Sequence, residues 1–218
     1  MRVSTKPSSQ DQQAPHVYAI VLAAGLSRRA GDTNKLLTPV DGVPMVARVV
    51  RAALASQAQG VVVVTGYEAA RVEATLPDEA VLFVWNDLYE SGLASSMCAG
   101  IRALGPGVDG ALICLGDMPW VATDVMDALI AEFDPERGQA ICVPTCDGER
   151  GNPVLWSADF FEAIEELVGD QGARRLLGEY DDHVIEVPVR DRGIFRDLDT
   201  AADLDRHTDG ERRVVTQD

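Results

Sequence analysis

Four consecutive valines, Val61–Val64, with Gly60 before them and Thr65 after, constrain the fold more than any other stretch of the chain. A β-branched run with no polar alternation has no face for water. It therefore belongs to a strand buried on both sides, the kind found inside a parallel sheet covered by helices. Tyr18–Leu22 and Gly110–Leu115 have the same character, Val81–Trp85 reads as an apolar strand, and a further strand fits Ala140–Pro144. Helical patterns fill the gaps. Pro44 suits a helix start, and Met45, Val46, Val49, Val50, Ala53 and Leu54 share one face of the helix that follows. Further helices are expected over Glu68–Leu76, up to about Leu104, over Val125–Phe133 and over Asp159–Val168. The resulting order, β-α-β-α-β-α-β-α-β with a mixed final segment, predicts a single three-layer α/β/α domain with a mostly parallel sheet and right-handed crossovers.

Composition limits what such a domain does. At 218 residues and 46% hydrophobic content the chain can bury one sizeable core without staples. Its apolar runs fall far short of the roughly 18–20 residues of a membrane span. No charged-then-apolar leader opens it, and Cys98, Cys114, Cys142 and Cys146 contain no C-x-x-C pair. A cytoplasmic protein with reduced, buried thiols is the expectation. Residues 1–15 are polar and read as a disordered tail, 16–207 as the domain and 208–218 as a frayed tail. The net charge of −16 argues against nucleic acid or an anionic membrane as partner, but not against a small anion held in a local basic pocket. The cations are 17 arginines and two lysines, and Lys35 is the lysine within the expected fold. One lysine among arginines suggests that a compact ammonium is wanted at that point.

The chemistry gathers where the first strand runs out. Small residues, Gly25 and Gly31 are followed or flanked by Arg28, Arg29 and Lys35. The glycines free the backbone for turns and for close approach of a ligand, and exposed amides there can hold phosphate oxygens beside the cationic side chains. The residues alone also fit an ordinary strand-to-helix loop with scattered surface charge. The loop is neither a Walker A motif, since Lys35 is followed by Leu36, nor a G-x-G-x-x-G fingerprint.

Four other segments carry candidates. Asp117, just past the strand Gly110–Leu115, sits where a parallel sheet presents its ligand crevice. A carboxylate there suits Mg²⁺, which is held by one or two carboxylates plus substrate phosphates. It lies six residues before Thr123, the natural cap of the next helix. Ser95 and Ser96, after Asn86 and Gly92, either cap a helix or face a ligand. Gly169, Asp170 and Gly172 precede a helix with Arg174 and Arg175 in its first turn, where cations oppose the dipole by ~0.3–1 kcal/mol unless an anion binds. Solvated arginines near Asp170 are the alternative. Asp197 and Asp199 alternate on a strand-like segment, and two carboxylates on one face repel unless a cation lies between them. Asp199 could instead cap a closing helix over Ala201–Asp205.

Leu22, Ala23, Ala24, Gly25, Ser27, Arg29, Gly31, Asn34, Lys35, Leu36 and Leu37 follow the pattern L-A-A-G-x-S-x-R-x-G…N-K-L-L. In this the chain resembles the nucleotidyltransferases that make molybdenum cofactor dinucleotides, with Ala30 where the family often has Met. Gly116–Pro119 match its G-D-M-P motif, Gly151–Pro153 its G-[NH]-P, Gly169–Leu176 its G-D-x-G-A-R-x-L and Asp197–Thr200 its D-[IL]-D-T. The resemblance covers Tyr18–Leu204 and is best to molybdenum cofactor cytidylyltransferase; the related guanylyltransferases typically read L-A-G-G, and a methyl group at Ala24 could narrow the base pocket towards a pyrimidine.

The resemblance implies a Rossmann-like fold of the nucleotide-diphospho-sugar transferase type. It implies transfer of CMP from CTP to the terminal phosphate of molybdopterin, with release of pyrophosphate. On the nucleotide side it implies Ala23, Ala24, Gly25, Ser27, Arg29 and Lys35, with Asn86, Gly92, Ser95, Ser96 and Gly116. Arg29, Lys35 and Asp117 would be catalytic, and Asn152, Gly172 and Arg174 would contact the second substrate. Mg²⁺ would sit on Asp117 with Asp197 or Asp199. A molybdenum hydroxylase or its chaperone would stand downstream. Two alternatives stay open: transfer to another phosphorylated acceptor, such as a sugar or methylerythritol phosphate, and a non-catalytic molybdenum cofactor chaperone.

Overall fold

Strand β1 (Val17–Ala23) takes the centre of the sheet because both of its faces are apolar. In the computed structural model, which describes residues 14–27, 34–169 and 172–198, Val17, Ala19, Val21 and Ala23 face one core. Helices α1 (Met45–Leu54) and α4 (Thr123–Glu132) cover that side. Ile20 and Leu22 face a second core, covered by α3 (Leu93–Arg102). The valine run forms β4 (Gly60–Thr65), parallel to β1 with Ile20 opposite Val62. It divides likewise, Val61 and Val63 to the first core and Val62 and Val64 to the second. On the other flank β6 (Gly110–Leu115) pairs with β1 in parallel, Ile20 opposite Ile113.

The sheet is completed by β5 (Leu82–Trp85), β7 (Ile141–Cys146), β8 (Glu149–Arg150), β9 (Val154–Ser157) and β10 (Val184–Pro188), in the order β10-β7-β9-β6-β1-β4-β5 with β8 beside β7. Between β1 and β4 the chain adds a small antiparallel hairpin, β2 (Pro39–Val40) with β3 (Val43–Pro44). Helix α2 (Ala69–Glu73) joins the first layer, while α5 (Phe161–Glu165) and α6 (Gly172–Glu179) pack beside α3 in the other. Three layers around a mostly parallel sheet is the arrangement the strand runs predict.

The departures are local and have physical causes. Val154–Trp156 follows the Gly151–Pro153 motif and carries no strand expectation, yet Val154–Ser157 is a fully buried strand, antiparallel to both β6 and β7. Four residues are too few for a period to show. The Val81–Trp85 run reads as an apolar strand, and β5 forms there; among the described residues it pairs with β4 alone at the sheet edge, and Leu82 and Trp85 are exposed. The helix expected over Asp159–Val168 begins as a 3-10 turn, Ala158–Phe160, because Ser157 Oγ accepts from the Asp159 amide. Ala122, not Thr123, is the N-cap of α4, and Thr123 Oγ1 donates to the Ala52 carbonyl instead.

The strand-like alternation expected of Asp197 and Asp199 does not form on the described side. A 3-10 turn, Arg192–Phe195, precedes residues 196–198, which are irregular. Asp199, the closing helix over Ala201–Asp205, the tail 208–218 and residues 1–13 of the N-terminal tail lie outside the described residues. All four cysteines are free and buried, as expected. No described helix is long and apolar enough to cross a membrane.

Candidate active site

Connections leave β1 towards β4 and leave β6 towards β7, on opposite sides, so the strand order reverses between two neighbours. Such a switch point opens a crevice outside the carboxyl ends of the strands. A cleft of about 570 Å³ lies there. Ala24, Gly25 and Ser27 from the end of β1 line it, with Lys35 and Leu36, and Asp117 enters from the end of β6.

The described segments Gly25–Ser27 and Asn34–Leu37 are tied together by a buried side chain. Asn34 is 0% exposed and caps the 3-10 turn Lys35–Leu37, its Oδ1 accepting from the Leu36 amide at 3.1 Å. The same oxygen accepts from Ser27 Oγ at 3.4 Å, while Nδ2 donates to the Tyr67 carbonyl at 3.4 Å. Ser27 Oγ in turn accepts from the Lys35 amide at 3.1 Å. The turn thus closes on itself and aims Lys35 across the cleft. Ser27 supplies the left-handed backbone, with φ +52°. A Cβ on Gly25 would meet nothing within 4 Å, so that glycine leaves open space for a ligand to approach the chain.

Lys35 Nζ stands 2.7 Å from Asp117 Oδ2. With side chains 13% and 22% exposed, the two ions are largely shielded from water. Asp117 follows Gly116, where a Cβ would come 2.8 Å from the Leu22 carbonyl oxygen; only glycine lets β6 end this close to β1. The Asp117 carbonyl accepts from the Leu198 amide at 3.1 Å, which brings Asp197 onto the cleft wall. Among the described lining residues Lys35 is the one cation, set against Asp117, Asp197 and Glu90.

The far wall comes from the segment after β5. Asn86 is buried and its Nδ2 donates to Ser95 Oγ at 2.9 Å and Ser96 Oγ at 3.0 Å, while Oδ1 accepts from the Leu88 amide. Neither serine caps α3. Gly92 holds the N-cap position with φ 112°, and Ser95 Oγ donates to the Leu88 and Gly92 carbonyls. Gly92 and Ser96 line the cleft, and Ser95 stands behind them. Tyr89 and Glu90 also line it. Sequence reasoning passed over both, since a 3-10 turn of Tyr89–Ser91 leaves no periodic signal. Tyr89 is seated by Gly66, where a Cβ would lie 2.6 Å from Tyr89 Cβ and 2.9 Å from the Ala24 methyl.

Not every candidate converges. Ala23 is buried in the first core and faces away from the cleft, which its neighbours Leu22 and Ala24 line. Asn152 borders a small crevice beneath β6 with Cys114 and Met118, its amide donating to the Ile194 carbonyl. Arg174 is exposed on α6, which starts at Gly172. Gly169 is tied to the start of α3, its carbonyl accepting from the Ala94 amide at 3.1 Å. Arg175 pairs along α6 with Glu179. Arg28, Arg29, Gly31 and Asp199 lie outside the described residues.

A three-layer α/β fold with a cleft at its switch point is a shape that many chains share, so membership has to come from sequence. Residues 19–184 match the MobA-like NTP transferase domain. The chain belongs to that family. It is 33% identical over 204 residues to the purine catabolism protein PucB of Bacillus subtilis, covering 88% of this chain and 96% of PucB. It is 29% identical over 201 residues to nicotine blue oxidoreductase of Paenarthrobacter nicotinovorans, 90% of this chain and 98% of that protein. Among solved structures it resembles a nucleotidyl transferase from Methanothermobacter thermautotroptrophicus, with 27% identity and a TM-score of 0.76 over 91% of this chain and 99% of that one. Membership of the NTP transferase family makes nucleotidyl transfer the class of chemistry.

Proposed function

We propose that this protein transfers CMP from CTP to the terminal phosphate of molybdopterin, releasing pyrophosphate. The observation that carries the reading is the meeting, at one switch-point cleft, of the open Gly25–Ser27 backbone with the Lys35–Asp117 pair. The residue pattern of the loop supports the molybdenum cofactor as acceptor. Ala24 lines the cleft, and its methyl group, where the guanylyl-transferring relatives typically have glycine, would narrow a base pocket, which supports a pyrimidine.

No covalent intermediate with the enzyme is needed. The attacking phosphate must lie in line with the α-phosphorus of CTP, and charge developing on the departing pyrophosphate must be neutralised. The backbone around Gly25–Ser27 cradles phosphate oxygens, Lys35 takes the β and γ groups, and Arg29 adds a second cation. Ser96, with Asn86 and Ser95 behind it, orients the base and ribose against Tyr89. Asp117 and Asp197 present hard oxygen donors to one cleft, and an ammonium already rests on Asp117, so the pair fits Mg²⁺. Bound there, with or without Asp199, the ion would supply charge neutralisation at the phosphates.

The test is to incubate the protein with CTP, Mg²⁺ and molybdopterin and to weigh the cofactor. A gain of one CMP with an equal amount of pyrophosphate is expected; an unchanged cofactor mass contradicts the reading. A second reading, transfer to another phosphorylated acceptor such as a sugar or methylerythritol phosphate, is favoured by one observation: Asn152 and Arg174 do not line the cleft. It predicts pyrophosphate release with that acceptor and none with molybdopterin.

A further inference from the structure

We propose that the open edge of β5 is a docking site for another polypeptide, which adds an extended apolar segment with basic flanks to the sheet as one more strand. The surface is separate from the cleft, and its use does not depend on the reaction there.

Among the described residues β5 pairs with β4 alone and ends the sheet on that side. The Asn86 amide donates to the Thr65 carbonyl, so the backbone at Asn86 faces β4. Backbone groups of successive residues point to opposite sides of a strand. Those of Leu82 and Val84 therefore turn towards β4, and those of Phe83 and Trp85 turn outward. The side chains also leave this edge apolar. Leu82 is 52% exposed and Trp85 66%, on opposite faces, and Leu88 just beyond them is exposed as well. An edge that must stay single is ordinarily blunted by charge or proline. The other end of this sheet has both, since β10 carries exposed Glu186 and finishes at exposed Pro188. Leu82-Phe83-Val84-Trp85 has neither.

Charge decides what fits there. Residues 68–90 hold six carboxylates against one cation, Arg71. Asp78 and Glu79 stand before the strand, Asp87 and Glu90 after it, so both ends of the edge are acidic. Among the described ion pairs Arg51 takes Glu79 and Arg71 takes Glu68, and none takes Asp78, Asp87 or Glu90. A second copy laid antiparallel on β5 would set the Asp78–Glu79 end against the Asp87–Glu90 end of its twin. Each chain also carries a net charge of −16. Like charges in register disfavour that pairing. A foreign segment with lysine or arginine on both sides of a few apolar residues meets the opposite sign at each end. Main-chain hydrogen bonds to Phe83 and Trp85 would hold it, and the carboxylates would select it.

The probe is a capped, fluorescein-labelled peptide, Lys-Arg-Val-Ile-Val-Thr-Arg-Lys, with the full chain titrated into it and anisotropy recorded. One companion peptide has glutamate at every basic position; another is N-methylated through its core and cannot donate main-chain hydrogen bonds. The basic peptide should bind, and more weakly as salt is raised. The N-methylated peptide should bind at least about tenfold more weakly, the scale of two lost hydrogen bonds, and the acidic peptide should not bind. Amide exchange followed by nuclear magnetic resonance should be fast at Phe83 and Trp85 in the free chain and slow in the complex. Trp85→Lys, with a thermal midpoint near wild type, should weaken binding at least about tenfold, as for a buried aromatic anchor. Leu82→Lys takes its place if that variant does not fold. Failure of the basic peptide to bind overturns the proposal. So does equal binding of the N-methylated peptide, or exchange at Phe83 and Trp85 that binding leaves unchanged. Slow exchange at both amides in the free monomer would mean that the chain covers its own edge. A dimer in sedimentation equilibrium that protects them would make a second copy the occupant, and either result overturns the foreign partner.

Discussion

Asn34 ties Ser27, Leu36 and Tyr67 together through one buried amide, and Lys35 is placed by that arrangement. Removing the amide should act at two levels. Asn34→Ala should lose about 1 kcal/mol of stability, as for other caps, seen as a lower urea midpoint. It should also lower kcat/KM, because the Lys35 backbone loses its anchor. Lys35→Ala separates these effects. It should depress kcat by about 10²–10³-fold, the scale of one lost charge-stabilising donor, with little change in the thermal midpoint. A variant that melts early while turning over normally would remove Lys35 from the chemistry. That Gly25, Ser27, Lys35 and Asp117 gather at one cleft was legible at this scale, because parallel strand ends at a switch point bring such residues together. Tyr89 and Glu90 were not, since an aromatic and an acid in a short turn carry no spacing that marks a ligand wall. Ser27 rather than Gly25 taking the left-handed backbone was illegible for a related reason: composition points to glycine, and the local Ser27–Asn34 and Ser27–Lys35 bonds decide otherwise.

Among the elements, the segments after β4 and β5 build the far wall of the cleft, with Gly66 after β4 as the piece that lets Tyr89 in. Gly66→Ala would set a methyl group within 2.6 Å of Tyr89 Cβ, so the tyrosine must shift. The expected result is a rise of about tenfold or more in the nucleotide KM, from misplacement of the wall, with a smaller change for the acceptor. Steady-state kinetics varying one substrate at a time check it, and equal rises in both would argue against a base-side role. The valine run, β1 and β6 could be read directly because burial on both faces leaves no polar residue to confuse the pattern. Strand β9 could not. It is short, follows a turn, and enters antiparallel between β6 and β7, a pairing set by tertiary packing. Strand β5 was legible as an apolar strand, but its place at the sheet edge, which exposes Leu82 and Trp85, follows from the strand order.

Over the whole molecule, the charge of −16 leaves arginines such as Arg48, Arg51 and Arg102 engaged with nearby carboxylates, so a local cation in the cleft stands out against an acidic surround. The buried thiols set an alkaline limit. Burial pushes Cys114 from 9.0 up to about 12, and burial followed by the nearby Glu132 pushes Cys142 to about 12 as well. Above the unfolded value the unfolded chain releases these protons while the folded chain keeps them. Folding stability should therefore fall as pH rises through that window, and be unaffected by these groups below it. Urea unfolding at pH ~8 and ~10.5 should show the loss, and Cys114→Ala with Cys142→Ala should flatten it.

The central claim, nucleotidyl transfer in the cleft between β1 and β6, is tested most directly by pyrophosphate release. The assay takes Mg²⁺ and each of the four nucleoside triphosphates, with and without molybdenum cofactor, for wild type and Asp117→Asn. Release with CTP only, only when the cofactor is present, and lost in Asp117→Asn is the predicted result. No release from wild type with any triphosphate and phosphorylated acceptor, while the cofactor still binds, would contradict it and leave a carrier of the cofactor in place of an enzyme.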